Sequence, residues 1–245
     1  MTTTPTTPAS LAETMDRLRS AQKGHARGAP AYSVYVNRRI GRVLAAVAFR
    51  LGLTPNQVTL VSAAHTFAGI ALLATLPPTW WSGVLITVLL VLGYAWDSAD
   101  GQVARLRGGG SVAGEWLDHF VDAFKIASLH LAVLIGLHRF GDVGELALLV
   151  PIGFSVVATV TFFGMILNDL LKGARGVAST HARAGGTFGR SMMLLPTDFG
   201  VVCLVFVLWG APPLFLIAYG ALFAANAMFL GAAAVKWFRE MRQVG

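Results

Sequence analysis

The chain has 245 residues, 55% of them hydrophobic and only 13% charged, with a formal net charge of +7. That is one domain's worth of chain with the composition of a multi-spanning membrane protein, and its 27 glycines are a load that membrane helices tolerate and use at their contacts. The single cysteine, Cys203, excludes a disulfide framework and a cysteine zinc site. The basic residues lie between apolar spans and do not form a folded basic face, which argues against a nucleic-acid partner.

Residues 1–29 are polar and rich in Thr, Pro and Ala. They are expected to form a disordered tail with a short helical stretch near Leu11 to Gln22. No basic region leads directly into an apolar core, so the tail does not read as a secretory signal peptide. Residues 30–52 follow as a juxtamembrane segment. Arg38, Arg39 and Arg42 alternate there with Val34, Val36, Ile40, Val43, Leu44 and Val47. This pattern predicts a basic amphipathic helix lying in the cytoplasmic interface. The alternative is that it begins the first span.

Residues 53–245 read as an all-α membrane domain of six transmembrane helices. Thr54 and Pro55 are helix-start residues, one as the cap and one in the first turn. Apolar segments then run over 55–76, 81–104, 113–137, 145–170, 197–209 and 212–235. Each but the fifth approaches the ~20 residues that a helical span needs. The fifth needs an earlier start, around Ser191. Pro77-Pro78, His138 to Gly144 and Gly210 to Pro213 make the short turns.

Six spans put both termini on one side, and charge selects the side. Arg17, Arg19, Lys23, Arg27, Arg38, Arg39, Arg42 and Arg50 precede the first span. Arg105 and Arg107 lie at the second turn, Lys172, Arg175, Arg183 and Arg190 in the fourth connection, and Lys236, Arg239 and Arg242 at the end. Only Arg139 falls in a loop on the opposite face. The positive-inside rule then places both termini at the cytoplasmic face of the cell membrane.

The stretch from Asp97 to Asp122 stands out against this background. It carries Asp97, Asp100, Asp118 and Asp122 in a chain with few charges. Ionisable groups at a membrane edge are costly, which makes them functional candidates. Asp97 and Asp100 share a helix face by their spacing, as do Asp118 and Asp122, with Gly114 one turn before Asp118. Gly108-Gly109-Gly110 breaks the helix between them. Two antiparallel helices can thus point four carboxylates at one place. Their mutual repulsion calls for a divalent cation, and hard oxygen donors suit Mg²⁺ or Mn²⁺. Gly101, Ala104 and Gly114 leave the helix surfaces bare for a ligand, and Arg105 supplies a cation suited to phosphate.

These residues match the pattern D-x2-D-G-x2-A-R-x8-G-x3-D-x3-D at every fixed position: Asp97, Asp100, Gly101, Ala104, Arg105, Gly114, Asp118 and Asp122. In this the chain resembles the CDP-alcohol phosphotransferases. The resemblance implies transfer of a substituted phosphate from a CDP-alcohol to an acceptor alcohol, with release of CMP. It makes Asp97, Asp100 and Asp118 ligands of Mg²⁺ or Mn²⁺, as a pair of ions. Asp122 becomes the general base that takes the acceptor's proton, with metal contact as a further role. Gly101, Ala104, Arg105 and Gly114 would hold the CDP moiety. Asn56 and Thr59 join them, because the family often carries a similar Pro-Asn-x-x-Thr where the first span begins. Homodimers are common in the family.

The donor implied is CDP-diacylglycerol or another CDP-alcohol. Arg175, Arg183 and Arg190 form a candidate pocket for an anionic acceptor such as a sugar or polyol phosphate, or else they are topology determinants. Thr54 to Thr59, Arg190 and Leu195-Pro196-Thr197-Asp198 look similar to members that use soluble sugar-phosphate acceptors. Lys125, three residues after Asp122, either holds an acceptor phosphate or pairs with Asp122. His119 reads as a structural donor, with a ligand role as the alternative, Glu115 as a salt-bridge partner, and His65 and His130 as interior histidines. Asn168 and Asp169 face the arginine connection, as helix caps or acceptor contacts. A competing class is a divalent-cation transporter, but it would want polar groups at several depths across the membrane.

Overall fold

The computed structural model describes residues 11–20, 28–178 and 185–244. Helix α3, Pro55–Thr75, begins at a complete set of start signals. Thr54 caps it: Gln57 N donates to Thr54 Oγ1 at 3.3 Å, and Thr54 N donates to Gln57 Oε1 at 2.9 Å. Pro55 fills the first turn, where its missing N–H costs no helical bond. Thr79 and Ser82 make the same reciprocal pair at the start of α4, Trp80–Leu106. Helix α5, Val112–Phe140, starts on Ser111, whose Oγ accepts from Gly114 N at 3.0 Å. Between α4 and α5 the chain reverses through Gly108 and Gly109, with φ of 95° and 136°. Residues with side chains rarely adopt such angles, so the triple glycine is what permits the tight reversal.

Three elements precede α3. Helix α1 spans Leu11–Ser20, and α2 spans Arg38–Arg50 after a π-helical turn at Ser33–Asn37. Helix α2 buries Gly41, Ala45, Ala46 and Ala48 against α4, while Val36, Ile40, Val43 and Val47 are exposed. Helix α1 lies against α2 and α4 and buries Thr14 and Leu18. Burying one leucine contributes roughly 1.5–3 kcal/mol, so this stretch of the tail is docked. Residues 1–10 and 21–27 of the expected disordered tail lie outside the described residues.

After α5, a 3₁₀ turn at Glu145–Leu148 leads into α6, Leu149–Gly173. The fifth apolar segment differs from expectation. No helix runs unbroken from Ser191. Thr187 caps a short α7, Phe188–Met193, and a 3₁₀ turn at Leu195–Thr197 holds Pro196. Asp198 then starts a new helix by accepting from Gly200 N at 2.9 Å. Helix α8, Phe199–Val205, continues as 3₁₀ turns to Gly210. Among the described residues, five helices (α3, α4, α5, α6 with its leading turn, and α9, Pro212–Val244) are long and apolar enough to cross a membrane, and Phe199–Gly210 is shorter. This short segment runs antiparallel to α4. Phe199 meets Tyr94 edge-on at 5.3 Å, and Gly210 abuts the backbone of Thr79 and Trp80.

Packing splits into two clusters. One, around Leu73, Leu90, Leu129, Phe154, Trp209 and Tyr219, joins α3, α4, α5, α6, α8 and α9. The other, around Leu18, Ala45, Val58, Ala99 and Val103, lies nearer the carboxylates. Helices α3 and α4 approach closely at Gly93, whose carbonyl accepts from Ser62 Oγ at 2.8 Å. A Cβ at Gly93 would collide with Thr66. Gly93→Val is therefore expected to destabilise the protein by about 1–3 kcal/mol, read as a lower thermal-unfolding midpoint in detergent. An unchanged midpoint would mean that the helices do not meet there.

Candidate active site

Helices α4 and α5 both pack against α3, and the end of α4 and the start of α5 turn their carboxylates toward one another. Asp100 is buried and doubly held: Thr59 Oγ1 donates to its Oδ2 at 2.7 Å, and Gly101 N donates to its Oδ1. Asp97 lies within electrostatic reach of both Asp118 and Asp122, and Asp100 within reach of Asp97 and Asp118. Ligand atoms of Asp118, His119 and Asp122 all fall within 4.8 Å of one another. Spacing along the chain thus becomes a cluster of carboxylates in space.

A cavity of about 930 Å³ opens beside this cluster. Its wall includes Asn56, Thr59, Asp100, Gly101, Ala104, Arg105, Gly114 and Asp118. Every residue singled out for the nucleotide is therefore in one place. The small residues shape it. A Cβ on Gly101 would meet only the Arg105 guanidinium, at 3.6 Å, so the glycine leaves open space. A Cβ on Gly114 would press on Asn56 Oδ1 at 3.1 Å, so that glycine lets the start of α3 approach α5.

Asp97 and Asp122 do not line the cavity; they meet at Lys125. Its Nζ lies 3.2 Å from Asp97 Oδ1 and 2.5 Å from Asp122 Oδ1. The ammonium also sits 5.2 Å from the centre of the Phe199 ring. Of the two readings of Lys125, pairing is the one the geometry displays. Arg175 and Arg190 are exposed and line no part of the cavity, and Arg183 lies outside the described residues. Asn168 is buried near the Lys172–Glu240 pair, 2.6 Å long, which ties α6 to α9.

Three participants were not legible as such. Arg107 lines the cavity, donates to Leu53 O at 2.9 Å and stacks 5.6 Å above Phe49. The sequence offered it only as a topology charge. His119 also reaches the cavity and lies 4.0 Å from Glu115. Phe199, far along the chain, had no sequence signal at all.

The donor set fits a divalent cation. Carboxylate oxygens are hard ligands that suit Mg²⁺ or Mn²⁺, and Asp118, His119 and Asp122 are close enough to share an ion.

Fold and site together define a polytopic membrane phosphotransferase. A model of the CDP-alcohol phosphatidyltransferase family matches residues 52–237, and the chain belongs to that family. Its members are membrane enzymes that move a phosphatidyl-type group from a CDP-alcohol to an acceptor alcohol, releasing CMP, and they depend on divalent metal. The chain is 34% identical to phosphatidylinositol phosphate synthase of Corynebacterium glutamicum over 160 residues, 64% of this chain and 67% of that protein. It is 34% identical to archaetidylinositol phosphate synthase of Pyrococcus horikoshii over 98 residues, 40% of this chain and 47% of that protein. The fold resembles that of Mycobacterium tuberculosis phosphatidylinositol phosphate synthase with CDP-DAG bound, at a TM-score of 0.55 and 23% identity, covering 83% of this chain and 94% of that one. The same enzyme in complex with manganese and citrate gives a TM-score of 0.50 at 22% identity, covering 83% and 89%.

The Thr59–Asp100 contact generates a test. Thr59→Val keeps the shape and removes the donor. Loss of a hydrogen bond that orients a ligand typically costs 10–100-fold, so CMP release is expected to fall by about that factor at fixed Mn²⁺. Unaltered CMP release would mean that Asp100 needs no such support.

Proposed function

We propose that this chain transfers a phosphatidyl group from CDP-diacylglycerol to an inositol phosphate. The observation that carries the reading is the shared cavity in which Asn56, Thr59, Gly101, Ala104, Arg105 and Gly114 adjoin Asp100 and Asp118. The names of the phosphatidylinositol phosphate synthase and the archaetidylinositol phosphate synthase similar to it support the acceptor class.

In this reading Asp97, Asp100, Asp118 and Asp122 hold Mg²⁺ or Mn²⁺, as a pair of ions. Bound there, divalent metal would neutralise the diphosphate and stabilise the departing CMP oxygen. Gly101, Ala104 and Gly114 admit the nucleotide close to the backbone, Asn56 and Thr59 border it, and Arg105 faces its phosphates. Asp122, one turn beyond Asp118, takes the acceptor hydroxyl's proton as the oxygen attacks phosphorus opposite CMP. The basic residues favour the cavity and both termini at the cytoplasmic side of the cell membrane. Residues 30–52 lie in that interface, with the exposed Val36, Ile40, Val43 and Val47 turned to lipid. Exposed Trp80 and Trp81 at the far end of α4 suit the opposite headgroup level. The apolar faces of α6 and α9 offer a contact for a homodimer.

The test is CMP release by the purified protein with Mg²⁺, CDP-diacylglycerol and a panel of acceptors. Inositol phosphate is expected to support release at least about tenfold faster than inositol, glycerol phosphate or serine, a preference of about 1.4 kcal/mol. Asp100→Asn and Asp118→Asn should each cost about a thousandfold or more. Asp122→Asn should keep CDP-substrate binding within about tenfold and slow transfer at least about a hundredfold. Equal rates across the panel would overturn the acceptor, and equal losses of binding and transfer in Asp122→Asn would reassign Asp122 to metal alone.

A further inference from the structure

Lys125 enters the carboxylate cluster although the eight-residue family pattern has no place for it. Its side chain is 5% exposed and comes from α5, three residues after Asp122. The ammonium contacts Oδ1 of Asp97 and Oδ1 of Asp122, and the Phe199 ring backs it. Helix α8 carries that ring, and the Asp198 carboxylate seats the helix by accepting from Ser33 N at 2.7 Å and Gly200 N at 2.9 Å. The lysine is thus pinned from three elements and contributes nothing to the cavity wall.

This arrangement loads Asp97 and Asp122 with positive charge, while Asp118 belongs to both sides, its ligand atom lying within 4.8 Å of those of Asp122 and His119. Asp100 and Asp118 face the cavity, with Asp100 supported by Thr59 and Gly101. Asp97 and Asp122 share a fixed positive charge. A cation that binds the second pair must share carboxylates whose Oδ1 atoms the ammonium touches, and the two cations repel each other.

Resting on the reading of the aspartates as metal ligands, we propose that Lys125 is a built-in counter-ion that weakens divalent-ion binding at the Asp97–Asp122 half of the cluster. It is not a contact for the acceptor. The site is therefore graded. An ion held without Asp97 and Asp122 binds readily, and one that needs either of them binds only at higher concentration.

The experiment is a Mn²⁺ titration of the full-length protein in detergent, with free Mn²⁺ followed by its electron paramagnetic resonance signal. Lys125→Met keeps the length and apolar stem of the side chain and removes the charge. Its weaker Mn²⁺-binding step is expected to tighten by about tenfold or more, while the KM for inositol phosphate stays within about twofold. Lys125→Arg, which keeps the charge, should bind Mn²⁺ like the parent. Phe199→Leu removes the ring behind the ammonium and should shift Mn²⁺ affinity in the same direction by less, so the question stays answerable if Lys125→Met does not fold. Unchanged Mn²⁺ affinity with a raised acceptor KM would overturn the proposal in favour of an acceptor contact. Weaker Mn²⁺ binding in Lys125→Met would overturn it too, since the lysine would then be supporting the ligands. Absence of Mn²⁺ uptake by the parent would instead defeat the metal reading itself.

Discussion

Like charge brought together at the end of an apolar helix bundle is the constraint that organises this molecule. Asp97, Asp100, Asp118 and Asp122 would separate if water could reach them freely and the helices were free to part. Two features oppose that. The glycine reversal at Gly108 and Gly109 returns the chain so that α4 and α5 both pack against α3, and neighbouring groups share the charge: Thr59 and Gly101 at Asp100, Lys125 at Asp97 and Asp122. A carboxylate cluster of this kind has a strong demand for cations, and that demand is the basis of the chemistry assigned to it.

The surrounding fold serves this end of α4 and α5. Helix α3 delivers Asn56 and Thr59 because the Thr54–Gln57 capping pair fixes where the helix starts. Close packing at Gly93 sets how near α3 stands to α4, and hence whether Thr59 can reach Asp100. Helices α1 and α2 cover the other side. Arg17 and Arg107 both lie over the Phe49 ring, at 6.0 Å and 5.6 Å, which links the docked tail to a residue of the cavity wall. Short α8 lies deeper along α4 and places Phe199 behind Lys125.

Much of this was readable from the sequence, because helices convert spacing into position. Residues three and four apart lie on one face, so the pairs Asp97–Asp100 and Asp118–Asp122 could be anticipated, as could the start of α3 at Thr54-Pro55. Long-range relations could not. Lys125 and Phe199 are far apart in sequence, and only the path of α8 along α4 brings them together. The break before α8 was missed because hydropathy alone does not register that Pro196 interrupts a helix and Asp198 begins another. Docking of α1 was missed because its apolar anchors, Leu18 and Met15, are few and lie in a polar segment. Arg175 and Arg190, grouped by charge, remain exposed and away from the cavity wall, since positive charge marks topology as readily as it marks a ligand.

We propose that these four aspartates form one divalent-metal centre beside the cavity. Crystals of the protein grown with Mn²⁺ and measured at a wavelength where manganese scatters anomalously test it most directly. Anomalous peaks are expected among Asp97, Asp100, Asp118 and Asp122, and their loss is expected in Asp100→Asn crystals. Well-ordered aspartates with no anomalous peak between them, at Mn²⁺ concentrations that support CMP release, would contradict it.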